Sequence, residues 1–142
     1  MLAAKALYPV FPISPGLPGP DFSLLSTTGK TMTLASCLKE NGAILAFFAS
    51  HCFSADQKKL LQLKADYSRQ LAGGVAIVGI SALNWETLYE LRQTLDLPYP
   101  LLFDSCCRVS KQYRAILIPK FVTGRKLIAL NASGLVTDIA SF

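Results

Sequence analysis

The sequence has few of the residues that build metal sites and dithiol redox centres. Its 142 residues include one histidine, His51, and four cysteines, and no two cysteines have the spacing C-x-x-C. A structural zinc site needs Cys or His ligands at short, regular spacings, so this pattern argues against a bound metal. We expect neither a metal nor another cofactor.

Long apolar runs are also missing. No stretch approaches the ~20 apolar residues that span a bilayer. Five prolines lie between Pro9 and Pro20, and prolines this dense interrupt the helical apolar core of a signal peptide. We therefore expect a cytoplasmic protein with free thiols and no membrane contact.

No block of basic charge is present either. The formal net charge is +5, but the lysines and arginines are scattered along the chain. A scattered pattern favours a solvated basic surface, so we expect no nucleic-acid partner.

The length suits one domain with a single sheet and a few helices. Residues 1–19 form a Pro-rich lead-in, and residues 20–142 form the predicted domain. Two segments, 43–48 and 75–80, are apolar throughout, as is typical of strands buried on both faces of a sheet.

Helices are predicted behind each of these strands. Ser54 and Gln57 form a capping-box pattern that begins a helix to about Leu71, and Asn84 can cap a second helix. The remaining elements are a hairpin at 21–25 and 31–34, a helical turn at 35–39, a short strand within 97–103, a helix from Asp104 to about Arg114, and a hairpin at 125–130 and 135–139.

This order of elements predicts an α/β fold. Strand–helix–strand units with right-handed crossovers give a parallel central pair, and the closing hairpin adds antiparallel strands. We expect a thioredoxin-like three-layer fold with a central mixed β-sheet and an N-terminal β-hairpin. The sheet face beside the last hairpin is expected to be thinly covered, which favours a homo-oligomer.

Cys52 is the leading candidate for a reactive residue. It lies between a buried strand and a helix start, where unpaired N–H groups and the helix dipole favour thiolate over thiol. His51 beside it is expected to face solvent. We interpret Cys37 as a structural cysteine. Cys106 and Cys107 are interpreted as thiols without a function at the start of a helix. Their alternative role is to react with a sulfenic acid on Cys52 and form a disulfide with it.

Five motifs occur in order along the chain. They are Pro20-Asp21-Phe22-Ser23-Leu24, Gly29-Lys30-Thr31-Met32-Thr33-Leu34, Val78-Gly79-Ile80-Ser81, Leu97-Pro98-Tyr99-Pro100-Leu101-Leu102-Phe103-Asp104 and Val109 to Tyr113. These motifs and their order resemble those of the peroxiredoxin family, the alkyl hydroperoxide reductase and thiol-specific antioxidant group, from about Pro20 to the end of the chain.

The active-site motif departs from the family signature P-x-x-x-T-x-x-C. An ungapped alignment puts Ser50, Ser54 and Gln57 in the Pro, Thr and Cys positions, which leaves no sulfur at the reactive position. A shorter loop instead makes Ala49-Ser50-His51-Cys52 resemble the A-S-x-C of related chains, with Cys52 as nucleophile. We prefer the second alignment. Ala55 then replaces the second Cys of C-x-x-C, which excludes a thioredoxin-type dithiol reductase.

The resemblance implies a thiol-dependent peroxidase that reduces hydrogen peroxide or organic hydroperoxides through Cys52. Ser54 would offer a hydroxyl, and Arg125 begins a strand similar to the family's R-x-x-F-x-x-D, whose arginine faces the thiolate. Arg114 is a weaker candidate. Each residue also has a simpler interpretation. Ser54 would then only cap the helix, and Arg125 would be an exposed charge at the end of a strand.

The expected partners are a small-molecule peroxide and a thioredoxin- or glutathione-type thiol reductant. Two other functions remain open. One is a catalytically inactive binding or scaffold module, and the other is a one-thiol disulfide exchange protein.

Overall fold

The computed structural model of the chain describes residues 13–48, 54–118, 122–123 and 126–141. The strands in these ranges are β1 (Ser23–Ser26), β2 (Thr31–Thr33), β3 (Ala43–Phe47), β4 (Ala76–Ser81), β5 (Leu101–Phe103), β6 (Ile116–Ile118), β7 (Val122–Thr123), β8 (Lys126–Leu130) and β9 (Val136–Ser141). The helices are α1 (Leu34–Cys37), α2 (Ser54–Ala72), α3 (Trp85–Leu95) and α4 (Arg108–Gln112), and a 3-10 helix covers Ser105–Cys107.

Seven strands form one mixed sheet in the order β2-β1-β5-β4-β3-β8-β9. The central pair β3 and β4 is parallel, with Ala43 opposite Ala76 and Phe47 opposite Ile80. Strand β5 is parallel to β4, whereas β1 and β8 are antiparallel to their inner neighbours. The predicted parallel pair and both predicted hairpins are therefore confirmed.

The sheet is covered on both faces. On one face, α2 and α3 bury residues such as Leu60 and Leu88 against Ala46 and Ile77. On the other face, Phe47 and Ile128 pack with Tyr113 and the N-terminal segment. Coverage is thinner at the β8–β9 end, where Leu127 is only half-buried and Ala140 of β9 is exposed.

Local capping fixes the ends of α3. The Asn84 side chain accepts a hydrogen bond from the Thr87 N–H at 2.8 Å, as predicted, and Asp96 ends the helix in the left-handed conformation. A buried hydrogen bond from the Tyr99 hydroxyl to the Leu60 carbonyl, 2.7 Å long, joins α2 to the segment before β5. These contacts fix the helices that flank the carboxyl edge of the sheet.

Three elements differ from the sequence prediction. The predicted turn at 35–39 begins one residue earlier as α1, because Thr33 forms a capping box with Ser36. The helix predicted from Asp104 to Arg114 is interrupted because Cys106 and Cys107 adopt left-handed backbone angles. It ends at Gln112, and Arg114 beyond it also has a positive φ of 58°. The small hairpin of β6 and β7 was not predicted.

Candidate functional site at the carboxyl edge of the sheet

The carboxyl ends of β3, β4 and β5 meet at one edge of the sheet, because all three strands run in the same direction. Backbone hydrogen bonds hold these ends together. The Phe48 N–H donates to the Ile80 carbonyl at 3.1 Å, and the Asp104 N–H donates to the Ser81 carbonyl at 2.8 Å. In open α/β sheets such an edge is the usual place for a functional site.

The predicted site residues lie next to this edge in sequence, but the structure does not describe them all. Cys52 and Arg125 lie outside the described residues. Ser54 is the first residue of α2 rather than the residue before it, and its side chain is not among those described. The proximity of Cys52, Ser54 and Arg125 therefore stays a prediction.

Strand β8 begins at the same edge. Lys126, its first residue, lies opposite Phe47 of β3 in the antiparallel register. Lys126 is half-buried. Its pKa is lowered mainly by this burial and, to a smaller extent, by the positive charge of the nearby Arg114 guanidinium. Sequence reasoning missed Lys126, although its position directly after Arg125 could have indicated it.

Within the part of the chain that the structure describes, the ion pairs seen within 4.0 Å include Lys64–Asp96 and Arg69–Asp66 but none that involves Lys126 or Arg114. Uncompensated positive charge favours an anion in its surroundings. A thiolate is one such anion.

The first turn of α2 contains a buried acid and a half-buried amide. Asp56 is fully buried, and a carboxylate in the first turn complements the helix dipole. Gln57 lines a shallow cleft of about 150 Å³ together with Thr87, Glu90 and Leu91 of α3. Gln57 therefore lies beside α3, where the ungapped alignment would require the reactive sulfur.

Cys106 and Cys107 are two adjacent thiols just beyond β5. Both are free; Cys106 is exposed and Cys107 is partly exposed. Their backbone angles are φ 59°, ψ 19° and φ 58°, ψ 27°, a left-handed conformation that costs non-glycine residues on the order of 1–2 kcal/mol each. Burial, then the charge of Asp104, raises the pKa of Cys107, while Lys111 opposes the shift.

Asp104 holds this strained turn in place. Its buried carboxylate accepts hydrogen bonds from the N–H groups of Val109 and Ser110 and from the Ser110 hydroxyl, at 2.7–2.9 Å. Its carbonyl accepts the Cys107 N–H at 3.1 Å. The predicted cap is thus present, but it caps α4 rather than a helix that begins at Ser105.

Cys37 is the buried thiol of the described set, with 1% of its surface exposed. Burial raises its pKa to about 11, although a hydrogen bond with the Ser36 side chain opposes the shift. It lies in the core with Leu45 and Tyr113, as expected of a structural cysteine.

Among the described residues, no group of three or more His, Cys, Asp or Glu side chains could hold a metal ion. None of the described helices has the length and apolarity to cross a membrane.

A model of the AhpC/TSA family matches residues 15–139. This chain belongs to the AhpC/TSA family. The predicted family resemblance is thereby confirmed. A comparison with curated protein sequences found no match.

Solved structures of this family share the fold. Peroxidoxin BcpB from Mycobacterium tuberculosis is 21% identical with a TM-score of 0.83, over 92% of this chain and 86% of that one. A PrxQ mutant from Xylella fastidiosa is 12% identical with a TM-score of 0.83, over 92% and 87%. The Xanthomonas campestris bacterioferritin comigratory protein, whose structure addresses alkyl peroxide reduction, is 17% identical with a TM-score of 0.79, over 90% and 87%. These matches confirm the α/β thioredoxin-like fold.

Proposed function

We propose that this AhpC/TSA family protein is a thiol-dependent peroxidase that uses Cys52 to reduce hydrogen peroxide or organic hydroperoxides. One observation carries the proposal: in a chain of this family, the connection between β3 and α2 contains a cysteine. The N–H groups and dipole at the start of a long helix favour the thiolate form. The 19-residue α2 supplies such a helix.

The first step is attack by the Cys52 thiolate on one peroxide oxygen. The S–O bond forms as the O–O bond breaks, so sulfur is oxidised to a sulfenic acid and the peroxide is reduced. The departing oxygen leaves as water or an alcohol after it takes up a proton. The negative charge that develops on this oxygen needs a cation and hydrogen-bond donors.

Arg125 and Ser54 are the residues proposed to meet that need. Arg125 directly precedes Lys126, the residue opposite Phe47 near the end of β3, so its guanidinium is suited to the developing negative charge. The Ser54 hydroxyl is a second donor, at the first position of α2. Positive charge on Lys126 and Arg114 would further favour anions at this edge.

A thiol reductant completes the cycle. One reductant thiol displaces water from the sulfenic acid to form a mixed disulfide, and a second thiol releases Cys52 and leaves as part of a disulfide. Thioredoxin- and glutathione-type thiols provide this chemistry. The free cysteines of the described residues agree with the reducing cytoplasm, which we propose as the location.

The contrasting function is an inactive peroxiredoxin-shaped binding module. The position of Gln57 beside α3, one turn into the helix, favours it, because the ungapped alignment puts no sulfur in the reactive position. The two functions differ in what Cys52 does. An inactive module needs no reactive thiol at Cys52.

The experiment compares peroxide consumption by the reduced wild type, Cys52→Ser and Cys106→Ser, with hydrogen peroxide and tert-butyl hydroperoxide as substrates. The proposal predicts rapid consumption by the wild type and by Cys106→Ser, and loss of that rapid phase in Cys52→Ser. Equal, slow consumption by all three proteins would contradict the proposed peroxidase.

We also propose that the chain forms a homodimer or a larger assembly. Leu127 is half-buried and Ala140 exposed on the α2 side of β8 and β9, and thinly covered apolar surface tends to find a partner. Sedimentation at micromolar concentration should detect an assembly. A monomer under these conditions would contradict this part of the proposal.

A further inference from the structure

The adjacent thiols of Cys106 and Cys107 form a group that the proposed peroxidase does not use. Both are free; Cys106 is exposed and Cys107 is partly exposed. The Ser105 hydroxyl donates to the Cys106 sulfur at 3.8 Å. Burial and the charge of Asp104 raise the pKa of Cys107, and the positive charge of Lys111 opposes this shift. Two accessible thiols therefore occur next to each other in the chain, and at least Cys107 is held mainly as a thiol until a ligand displaces its proton.

This dithiol is unsuited to closing into a disulfide. Neighbouring Cα atoms are about 3.8 Å apart across a trans peptide, whereas disulfides need about 4.4–6.8 Å between Cα atoms. A bond between the two sulfurs would be strained and easily reduced. The pair is expected to persist as a dithiol under conditions that oxidise ordinary cysteine pairs.

The turn is also held in one shape. The buried Asp104 carboxylate accepts hydrogen bonds from the N–H groups of Val109 and Ser110 and from the Ser110 hydroxyl. The main-chain carbonyl of Asp104 accepts a hydrogen bond from the Cys107 N–H. A fixed dithiol loses less conformational freedom on binding a ligand than a mobile one. The geometry thus favours a ligand that bridges the two sulfurs with a third atom.

A cleft lies next to this pair. Its volume is about 480 Å³, and Ser105 and Arg108, the residues on either side of the pair, both line it. Its walls include the apolar side chains of Phe22, Phe103 and Val109. Neither thiol lines the cleft itself, but its volume is large enough for an apolar group of ring size beside the pair.

We propose that Cys106 and Cys107 form a chelating site for a soft, three-coordinate centre that carries one organic substituent, such as a monoorganyl arsenic(III). Soft thiolates select soft centres. Two sulfurs and one carbon complete three-coordination, so no third protein ligand is needed, which agrees with the lack of larger metal-ligating groups among the described residues.

The binding reaction conserves oxidation state. With phenylarsine oxide, the two thiols give up their protons and form two As–S bonds, the As–O bonds break, and the oxygen leaves with both protons as water. Arsenic stays trivalent and no sulfur is oxidised. The reaction needs neither peroxide nor a reductant, so it is independent of the proposed peroxidase.

The test titrates the fully reduced protein with phenylarsine oxide under anaerobic conditions and counts the remaining thiols. The wild type should lose two thiols per arsenic. Cys106→Ser and Cys107→Ser should each bind about 10²-fold more weakly, because each loses the chelating second bond. The matched controls Cys37→Ser and Cys52→Ser should retain tight binding.

Peptide mapping gives a second measurement that does not depend on variants. Tryptic cleavage after Arg92 and Arg108 places both thiols in one peptide, 93–108, with no other cysteine. The arsenical should be found on that peptide of the wild type. Tight binding that survives Cys106→Ser, binding that is lost in Cys52→Ser, or a Cys106–Cys107 disulfide that forms readily in a glutathione buffer would overturn the proposal.

Discussion

Lys126 of β8 lies directly opposite Phe47 of β3, so a half-buried lysine begins its strand close to the point where β3 ends. The antiparallel register from this pair to Ala43 opposite Leu130 is continuous. Lys126 is thereby brought to the edge at which the parallel strands end. Positive charge near the proposed Cys52 thiolate depends on this register.

Replacement of Arg125 by alanine should slow the reaction of Cys52 with hydrogen peroxide by about 10²-fold or more, because the departing oxygen loses its charged donor. Stopped-flow measurement of the single-turnover rate checks this. Arg69→Ala is the matched control, since Arg69 pairs with Asp66 at 2.8 Å on the exposed side of α2. A rate for Arg125→Ala close to that of the control would contradict the role of Arg125.

Stability should fall at alkaline pH because of Cys37. Burial raises the pKa of this thiol from its ordinary value of 9.0 to about 11, so between these values the unfolded chain releases a proton that the folded chain keeps. The stabilisation that Cys37 contributes is fully present below pH 9.0, the pKa in the unfolded chain. It is lost as the pH rises through about 11, the pKa in the folded chain. The total loss in the free energy of unfolding is about 2–3 kcal/mol.

Urea unfolding at about pH 8 and about pH 10.5 measures this loss. Cys37→Ala should be less stable overall, since it leaves a cavity, but should lose less stability between the two pH values than the wild type. Cys106→Ser should behave like the wild type. An identical pH dependence in Cys37→Ala and the wild type would show that Cys37 is not responsible.

Gly79 should not tolerate a side chain, although its backbone angles are ordinary. A Cβ there would lie 2.5 Å from a Leu101 methyl carbon and 3.2 Å from the Phe48 ring. Gly79→Ala should therefore lower the free energy of unfolding by about 1–3 kcal/mol. Gly73→Ala, where the nearest atom is 3.5 Å away, is the control, and equal stabilities of the two variants would contradict the packing argument.

The sequence predicted the central sheet well because its signals are local. The apolar runs at 43–48 and 75–80 are short and follow glycines, which favours buried strands over helices. Asn84 caps its helix through a residue three positions later. The break at Cys106 and Cys107 was missed because Asp104 bonds to residues five and six positions later. Such a clamp overrides the helical preference of the residues between.

The candidate site was less predictable than the fold. Cys52 stood out by its position between a strand and a helix, whereas the place of Lys126 opposite the last residue of β3 becomes apparent through the pairing of β8 with β3. Residues far apart in sequence are brought close together by the register of the β3–β8 pairing, and no short sequence motif encodes that register. The sequence offered Arg114 as a candidate cation, but the proximity of Arg114 to Lys126 had to come from the structure.

The central claim is that Cys52 is the thiol that reacts with peroxide. Trypsin separates Cys37, Cys52 and the Cys106–Cys107 pair into peptides 31–39, 40–58 and 93–108, so mass spectrometry after a brief peroxide pulse and sulfenic-acid trapping reports each one. If Cys52 is the reactive thiol, a trapped sulfenic acid should be found on peptide 40–58 well before peptide 31–39 or peptide 93–108 is oxidised. Oxidation of Cys52 no faster than that of Cys106 and Cys107 would contradict it.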